Sequence, residues 1–171
     1  SNGSTSMSVT INGDSAITAP LTMGFGNSNV TSNAALGLSA LATNTTGTHN
    51  TAFGAYALQY TTTGGSNTAI GQATLYLNTT GVNNTAVGDA ALAVSTVNNN
   101  TAVGTQALRY NTTGTPNDAF GYQALAANTT GLQNVALGFQ TLYSNTTGGS
   151  NTAIGTQALY YNTTGSGNTS I

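Results

Sequence analysis

One histidine, three aspartates and one arginine, with no glutamate, lysine or cysteine, make up nearly the whole reactive inventory of this 171-residue chain. Catalysis by proton transfer or nucleophilic attack needs such groups in sets: a nucleophile beside a base, or two carboxylates flanking a bond. His49 stands alone in a turn rich in Gly, Thr and Asn, with no Ser-His-Asp set to join. Asp14, Asp89 and Asp118 are scattered, whereas a hard cation wants several converging oxygens. The absence of Cys removes thiolate metal ligation and any disulfide framework. The many glycines are not followed by G-K-S/T, so they do not form a phosphate loop. The expectation is a chain that is not an enzyme and uses no cofactor or metal.

Charge narrows the partners further. With Arg109 as its one formal cation and a net charge of −2, the chain has no basic patch for phosphates or anionic lipid, which argues against nucleic acid. No apolar run approaches the ~18 residues that cross a bilayer, so membrane insertion is not expected. Disorder is equally disfavoured, because 38% of the residues are apolar and they recur regularly.

The remaining chemistry lies in amides and phenols. Eleven N-x-S/T triplets occur, six of them in N-T-T-G turns at Asn44, Asn78, Asn111, Asn128, Asn145 and Asn162. In a glycosylating secretory setting these turns would carry a regular glycan coat. The alternative is that Asn and Thr stand there as turn and ladder formers, and this is the favoured reading. Tyr60, Tyr76, Tyr110, Tyr143, Tyr160 and Tyr161 cluster at two neighbouring repeat positions, where aromatic rings either bind surface glycans or cover apolar edges.

All these residues are set by a repeat. N-T-A-(I/V/F/L)-G-x-x-A-L-x-x-N-T-T-G-x-x begins at Asn33 and restarts at Asn50, Asn67, Asn84, Asn100, Asn117, Asn134 and Asn151, then opens a ninth time at Asn168. The step is 17 residues except for 16 between Asn84 and Asn100, where N-T-T-G gives way to Ser95-Thr96-Val97-Asn98-Asn99. Every copy keeps Asn first, Ala third, Gly fifth and Leu ninth, the leucines being Leu41, Leu58, Leu75, Leu92, Leu108, Leu125, Leu142 and Leu159. Two Gly-punctuated segments per period, rich in Thr and β-branched or aromatic residues, predict two short strands and no helix. One repeat per rung then gives an all-β parallel β-solenoid, about 40 Å long at ~4.8 Å per rung.

Stacking puts each residue on its own copies, so the first-position Asn residues are expected to form a side-chain amide ladder. Adjacent strand residues point to opposite faces, so third-position Ala and the apolar fourth position separate, as do the eighth and ninth. Small residues then line the inside and the large aliphatic rank faces outward, or the reverse, so both faces carry apolar ranks; a row of eight large side chains left outside, such as the leucines, is expected to be buried against other copies of the chain. A homotrimer satisfies that need, and the coil opened at Asn168 is expected to offer a strand edge to the next subunit in a head-to-tail filament. Residues 1–32 precede the repeat; Met7–Ile11 and Ala16–Thr18, divided by Asn12-Gly13-Asp14, predict a β cap and connector, and 33–171 the solenoid.

The unit resembles the coils of trimeric autotransporter adhesin heads, and more closely the N-T-A-(I/L)-G-Y-Q-A-L-Y-x-N-T-T-G arrays of tail-fibre-type proteins. Ala119-Phe120-Gly121-Tyr122-Gln123-Ala124-Leu125 and Ala153-Ile154-Gly155-Thr156-Gln157-Ala158-Leu159 carry the likeness. The resemblance covers residues 33–171 and implies a left-handed β-roll, assembled as a trimer on a cell-surface or virion fibre. The leading expectation is thus an extracellular structural fibre subunit. Ice binding through the paired Thr residues of the turns, such as Thr45-Thr46 and Thr112-Thr113, is one alternative, and a glycan-binding adhesin head is another.

Overall fold

In the computed structural model, which describes residues 23–24 and 30–171, each coil contributes one strand of two to four residues built on the T-A-x triplet. The strands are β1 (Met23–Gly24), β2 (Ala34–Leu36), β3 (Thr51–Phe53), β4 (Thr68–Ile70), β5 (Thr85–Val87), β6 (Thr101–Val103), β7 (Asn117–Phe120), β8 (Asn134–Leu137), β9 (Thr152–Ile154) and β10 (Thr169–Ser170). They form one ten-stranded sheet in chain order. From β2 to β10 every neighbour is parallel and in register, Ala35 on Ala52 on Ala69 and onward. β1 pairs antiparallel with β2, Met23 opposite Leu36. The chain is an all-β parallel solenoid with one repeat per rung. The expected cap segments Met7–Ile11 and Ala16–Thr18 lie outside the described residues.

The second strand of each repeat is absent, which corrects the two-strand expectation. After the strand comes a glycine with φ between 126° and 138°, and then overlapping turns such as Ala57 N–H to Gly54 O at 3.3 Å and Thr61 N–H to Leu58 O at 3.1 Å. The seventh and ninth residues of the coil have left-handed backbones; Gln106 has φ 59° and Leu108 φ 50°. Alternation between faces holds only for extended backbone. These turns carry both the eighth-position residue and the ninth-position Leu inward.

The leucine row is therefore inside its own chain. Leu41, Leu58, Leu75, Leu92, Leu108, Leu125 and Leu142 are fully buried among the third- and eighth-position alanines, and Leu159 packs half-buried at the end of the row. The expectation that these leucines need a neighbouring chain to cover them is overturned. A left-handed Leu costs about 1–2 kcal/mol, and burying its side chain returns about 2–3 kcal/mol, so the conformation is sustained by the core it fills.

Hydrogen bonds tie rung to rung around the whole coil. Thr51 N–H donates to Asn67 O at 2.8 Å, Gly54 N–H to Leu36 O at 2.8 Å, Leu58 N–H to Thr74 O at 3.0 Å and Thr45 N–H to Thr62 O at 2.9 Å. The 16-residue coil keeps this register because Val97 takes over the place of the turn glycine. Its carbonyl accepts from Asn84 Nδ2 at 2.7 Å, as Gly81 O does from Asn67 Nδ2 at 2.8 Å. The lost residue falls between Ser95 and Val97, outside the ladder.

Candidate functional site: amide columns inside, an apolar face outside

The first-position asparagines stack into a buried column. Asn33, Asn50, Asn67, Asn84, Asn100, Asn117, Asn134 and Asn151 are all buried. In the middle of the stack Asn134 donates its backbone N–H and its Nδ2 to Asn117 Oδ1, at 3.0 and 3.1 Å, and its second amide proton to Gly148 O at 2.9 Å. Asn67 repeats the pattern on Asn50 Oδ1 and Gly81 O. At these rungs the Oδ1 receives two protons and the amide closes its own coil from start to turn. Burial without such partners would cost about 1–3 kcal/mol per group.

The N-T-T-G asparagines, favoured from sequence as turn and ladder formers, make a second column. Asn44, Asn78, Asn111, Asn128 and Asn145 are buried, and Asn162 is half-buried. Asn128 Nδ2 donates to Asn111 Oδ1 at 2.8 Å and to Gly131 O at 2.9 Å; Asn145 and Asn162 do the same one and two rungs on. At the fully buried Asn111, Asn128 and Asn145 the folded coil leaves no room for a glycan on the side-chain nitrogen. The column is broken at Thr61, whose hydroxyl donates to Asn78 O at 2.7 Å, and at buried Ser95.

A third amide column was not anticipated. Gln123 donates to Gln106 at 2.8 Å, Gln140 to Gln123 at 2.9 Å and Gln157 to Gln140 at 3.2 Å, on the outer surface. Its signal was available, because Gln recurs at the seventh position of four successive coils. Beside it the Tyr143 and Tyr160 rings stack at 5.1 Å with planes 13° apart, and Tyr122 stacks on Phe139 at 5.4 Å. Tyr60 meets Tyr76 edge to face at 5.0 Å, and the Tyr60 hydroxyl beside it holds the Tyr76 phenol above its ordinary pKa. Rings stacked along the rod cover one another's faces and show their edges to solvent.

The paired Thr residues also divide. The first of each pair turns its hydroxyl onto the next rung, as Thr112 Oγ1 to Thr129 O at 3.0 Å and Thr146 Oγ1 to Thr163 O at 3.0 Å. The second of each pair, Thr46, Thr80, Thr113, Thr130, Thr147 and Thr164, is exposed.

No protein-family model, curated protein or solved structure matches the chain. What the chain does has to be read from its own geometry. Asp14 lies outside the described residues; His49 is exposed in a turn, its backbone N–H on Ser32 Oγ at 3.3 Å, and Arg109 lies over the Tyr110 ring at 5.1 Å. Among the described residues no three His, Cys, Asp or Glu side chains gather where a metal could sit.

Among the described residues the outward strand face carries an extended apolar column. Its fourth-position column runs Leu36, Phe53, Ile70, Val87, Val103, Phe120, Leu137 and Ile154, stacked in register. Phe53 is 41% exposed, Ile70 40% and Leu137 47%. A second-position column of Thr51, Thr68, Thr85, Thr101 and Thr152 flanks it, interrupted by Asp118 and Val135.

Proposed function

We propose that this chain is a structural segment of an extracellular or virion fibre, a stiff rod that joins copies of itself along its outward strand face. The observation that carries this reading is the unbroken fourth-position apolar column. Eight large side chains in one line, each partly open to water, amount to several hundred Å², at or above what a lone soluble chain usually shows. Only Asp118 brings charge to that face. A closed cyclic arrangement covers such a stripe on every copy, and three copies around one axis, the trimer implied by the resemblance, is the closure that fits this proposal. The left-handed winding of that resemblance belongs to the same proposal.

The other readings have less to rest on. Sugar rings stack on open aromatic faces; Tyr122 with Phe139 and Tyr143 with Tyr160 cover one another, which leaves Tyr60, Tyr110 and Tyr161 as exposed rings without a stacked partner. An ice-binding lattice needs a flat, regular hydroxyl array, whereas in the paired-Thr turns the first hydroxyl is turned onto the next rung, as in Thr112 and Thr146, and the rank is interrupted at Ser95-Thr96-Val97. Sedimentation and light scattering at micromolar concentration test the proposal. The chain should run as an oligomer, and the double variant Ile70→Lys, Leu137→Lys should run as a monomer with an unchanged β-sheet dichroism spectrum. A monomeric parent chain would end the proposal.

A further inference from the structure

Six N-T-T-G triplets have the acceptor pattern for N-linked glycosylation, and the fold buries five of their asparagines and half-buries Asn162, with Asn111 to Asn162 joined in one hydrogen-bonded column. Transfer joins Nδ2 to C1 of an oligosaccharide carried on a polyisoprenyl pyrophosphate. The C1–O bond breaks, the pyrophosphate leaves with its electron pair, and an amide proton passes to a base of the transferase. In Asn128 and Asn145 both amide protons are already donated, at 2.8 to 2.9 Å, and the residues are fully buried. Asn111 donates to Gly114 O at 2.7 Å and Asn78 to Gly81 O at 3.1 Å, again at zero exposure. A sugar on any of these nitrogens would remove a donor from the column and place a bulky polar group where the coil has no space.

In the unfolded chain the same triplets are open. We propose that the N-T-T-G asparagines are cryptic acceptors, reachable only before folding, so that glycosylation there and closure of the solenoid exclude one another. Two other triplets behave oppositely. Asn83-Asn84-Thr85 and Asn99-Asn100-Thr101 begin on exposed turn residues, Asn83 touching Asn99 across one rung through a single 3.3 Å hydrogen bond. Among the described residues Asn83 and Asn99 are the acceptor asparagines exposed after folding. The chain therefore has to be folded before it meets such a transferase, or never meet one.

The third residue of each N-T-T triplet separates acceptor chemistry from packing. Thr46, Thr80, Thr113, Thr130, Thr147 and Thr164 are exposed, so replacing all six by Ala removes the acceptor pattern and leaves the asparagine column in place. Three preparations decide the matter by glycopeptide mapping, β-sheet dichroism and protease resistance. Chain made in a host without N-glycosylation, then given purified oligosaccharyltransferase and lipid-linked donor, should gain sugar at Asn83 or Asn99 and none at the N-T-T-G sites. The same chain routed through the secretory pathway of N-glycosylating cells should carry sugar at several N-T-T-G sites and lose both the dichroism signal and the resistance. The six-Ala variant in those cells should regain them, as should the unsubstituted chain when synthesis of the donor lipid is inhibited. A secreted, protease-resistant chain bearing sugar at Asn111, Asn128 or Asn145 would overturn the proposal. So would a secreted chain left unmodified at all six sites, or the absence of rescue when donor synthesis is blocked.

Discussion

Asn117 holds three partners at once: the backbone N–H and Nδ2 of Asn134, and the carbonyl of Gly131 at 2.9 Å. Replacing it by Ala would strand all three in the interior. At about 1–3 kcal/mol per unmatched buried group, partly relieved by local adjustment, Asn117→Ala should lower stability by about 3–5 kcal/mol. Urea denaturation followed by dichroism measures this, and a loss below about 1 kcal/mol would mean the column is not a main support of the stack. This part of the molecule was legible in the residues, because identical polar side chains at a fixed period have no cheaper way to be buried than on each other. The second column was legible only in part, as the favoured of two readings of those asparagines. Asn44 and its counterparts sit in a tetrapeptide whose every residue favours turns, and turn propensity says nothing about which way a side chain points. The leucines were misread for a related reason. A Leu at φ near 50° contradicts local preference, and only the core that it fills explains why it stands there.

At the scale of the coil, the period and the one-rung-per-repeat arrangement followed from spacing alone, and the T-A-x strands follow from their alternation. What spacing could not supply was the path from the fifth to the twelfth residue. Turns joined through left-handed Gln, Ala or Leu leave no pattern of residue types, since these residues ordinarily avoid that region. The fifth-position glycine is the one local signal of the corner, and it makes a sharp prediction. A Cβ on Gly121, at φ 138°, would run into the Gly138 carbonyl, which is backbone and cannot swing away. A Cβ on Gly155 would meet nothing closer than Ile171 at 4.0 Å, although its φ of 127° is equally awkward for an L residue. Gly155→Ala should therefore cost about 1–3 kcal/mol from conformation alone, and Gly121→Ala distinctly more. Thermal or chemical unfolding of the two variants compares them directly. Equal losses would show that rung-to-rung contact at this corner is looser than the structure has it.

At the scale of the whole rod, cohesion comes from hydrogen bonds and apolar packing, with four formally charged side chains in 171 residues. Between about 0.01 M and about 1 M sodium chloride the screening length falls roughly tenfold, yet there is little charge to screen. The melting midpoint should stay essentially constant across that range, and a marked fall with salt would reveal an ionic contribution not apparent in the fold. Near-neutrality does not make the rod electrically featureless. In the two asparagine files and the glutamine file, every amide-to-amide bond runs from the later rung to the earlier one. Aligned in this way, the small moments of the individual side chains add along the axis instead of cancelling. Any slice across the rod consequently exposes two unlike surfaces, one rich in free amide hydrogens and the other in free carbonyl oxygens. Two such rods meeting tail to nose continue each other's files, whereas nose to nose they oppose like with like, giving a nearly uncharged object a compass direction.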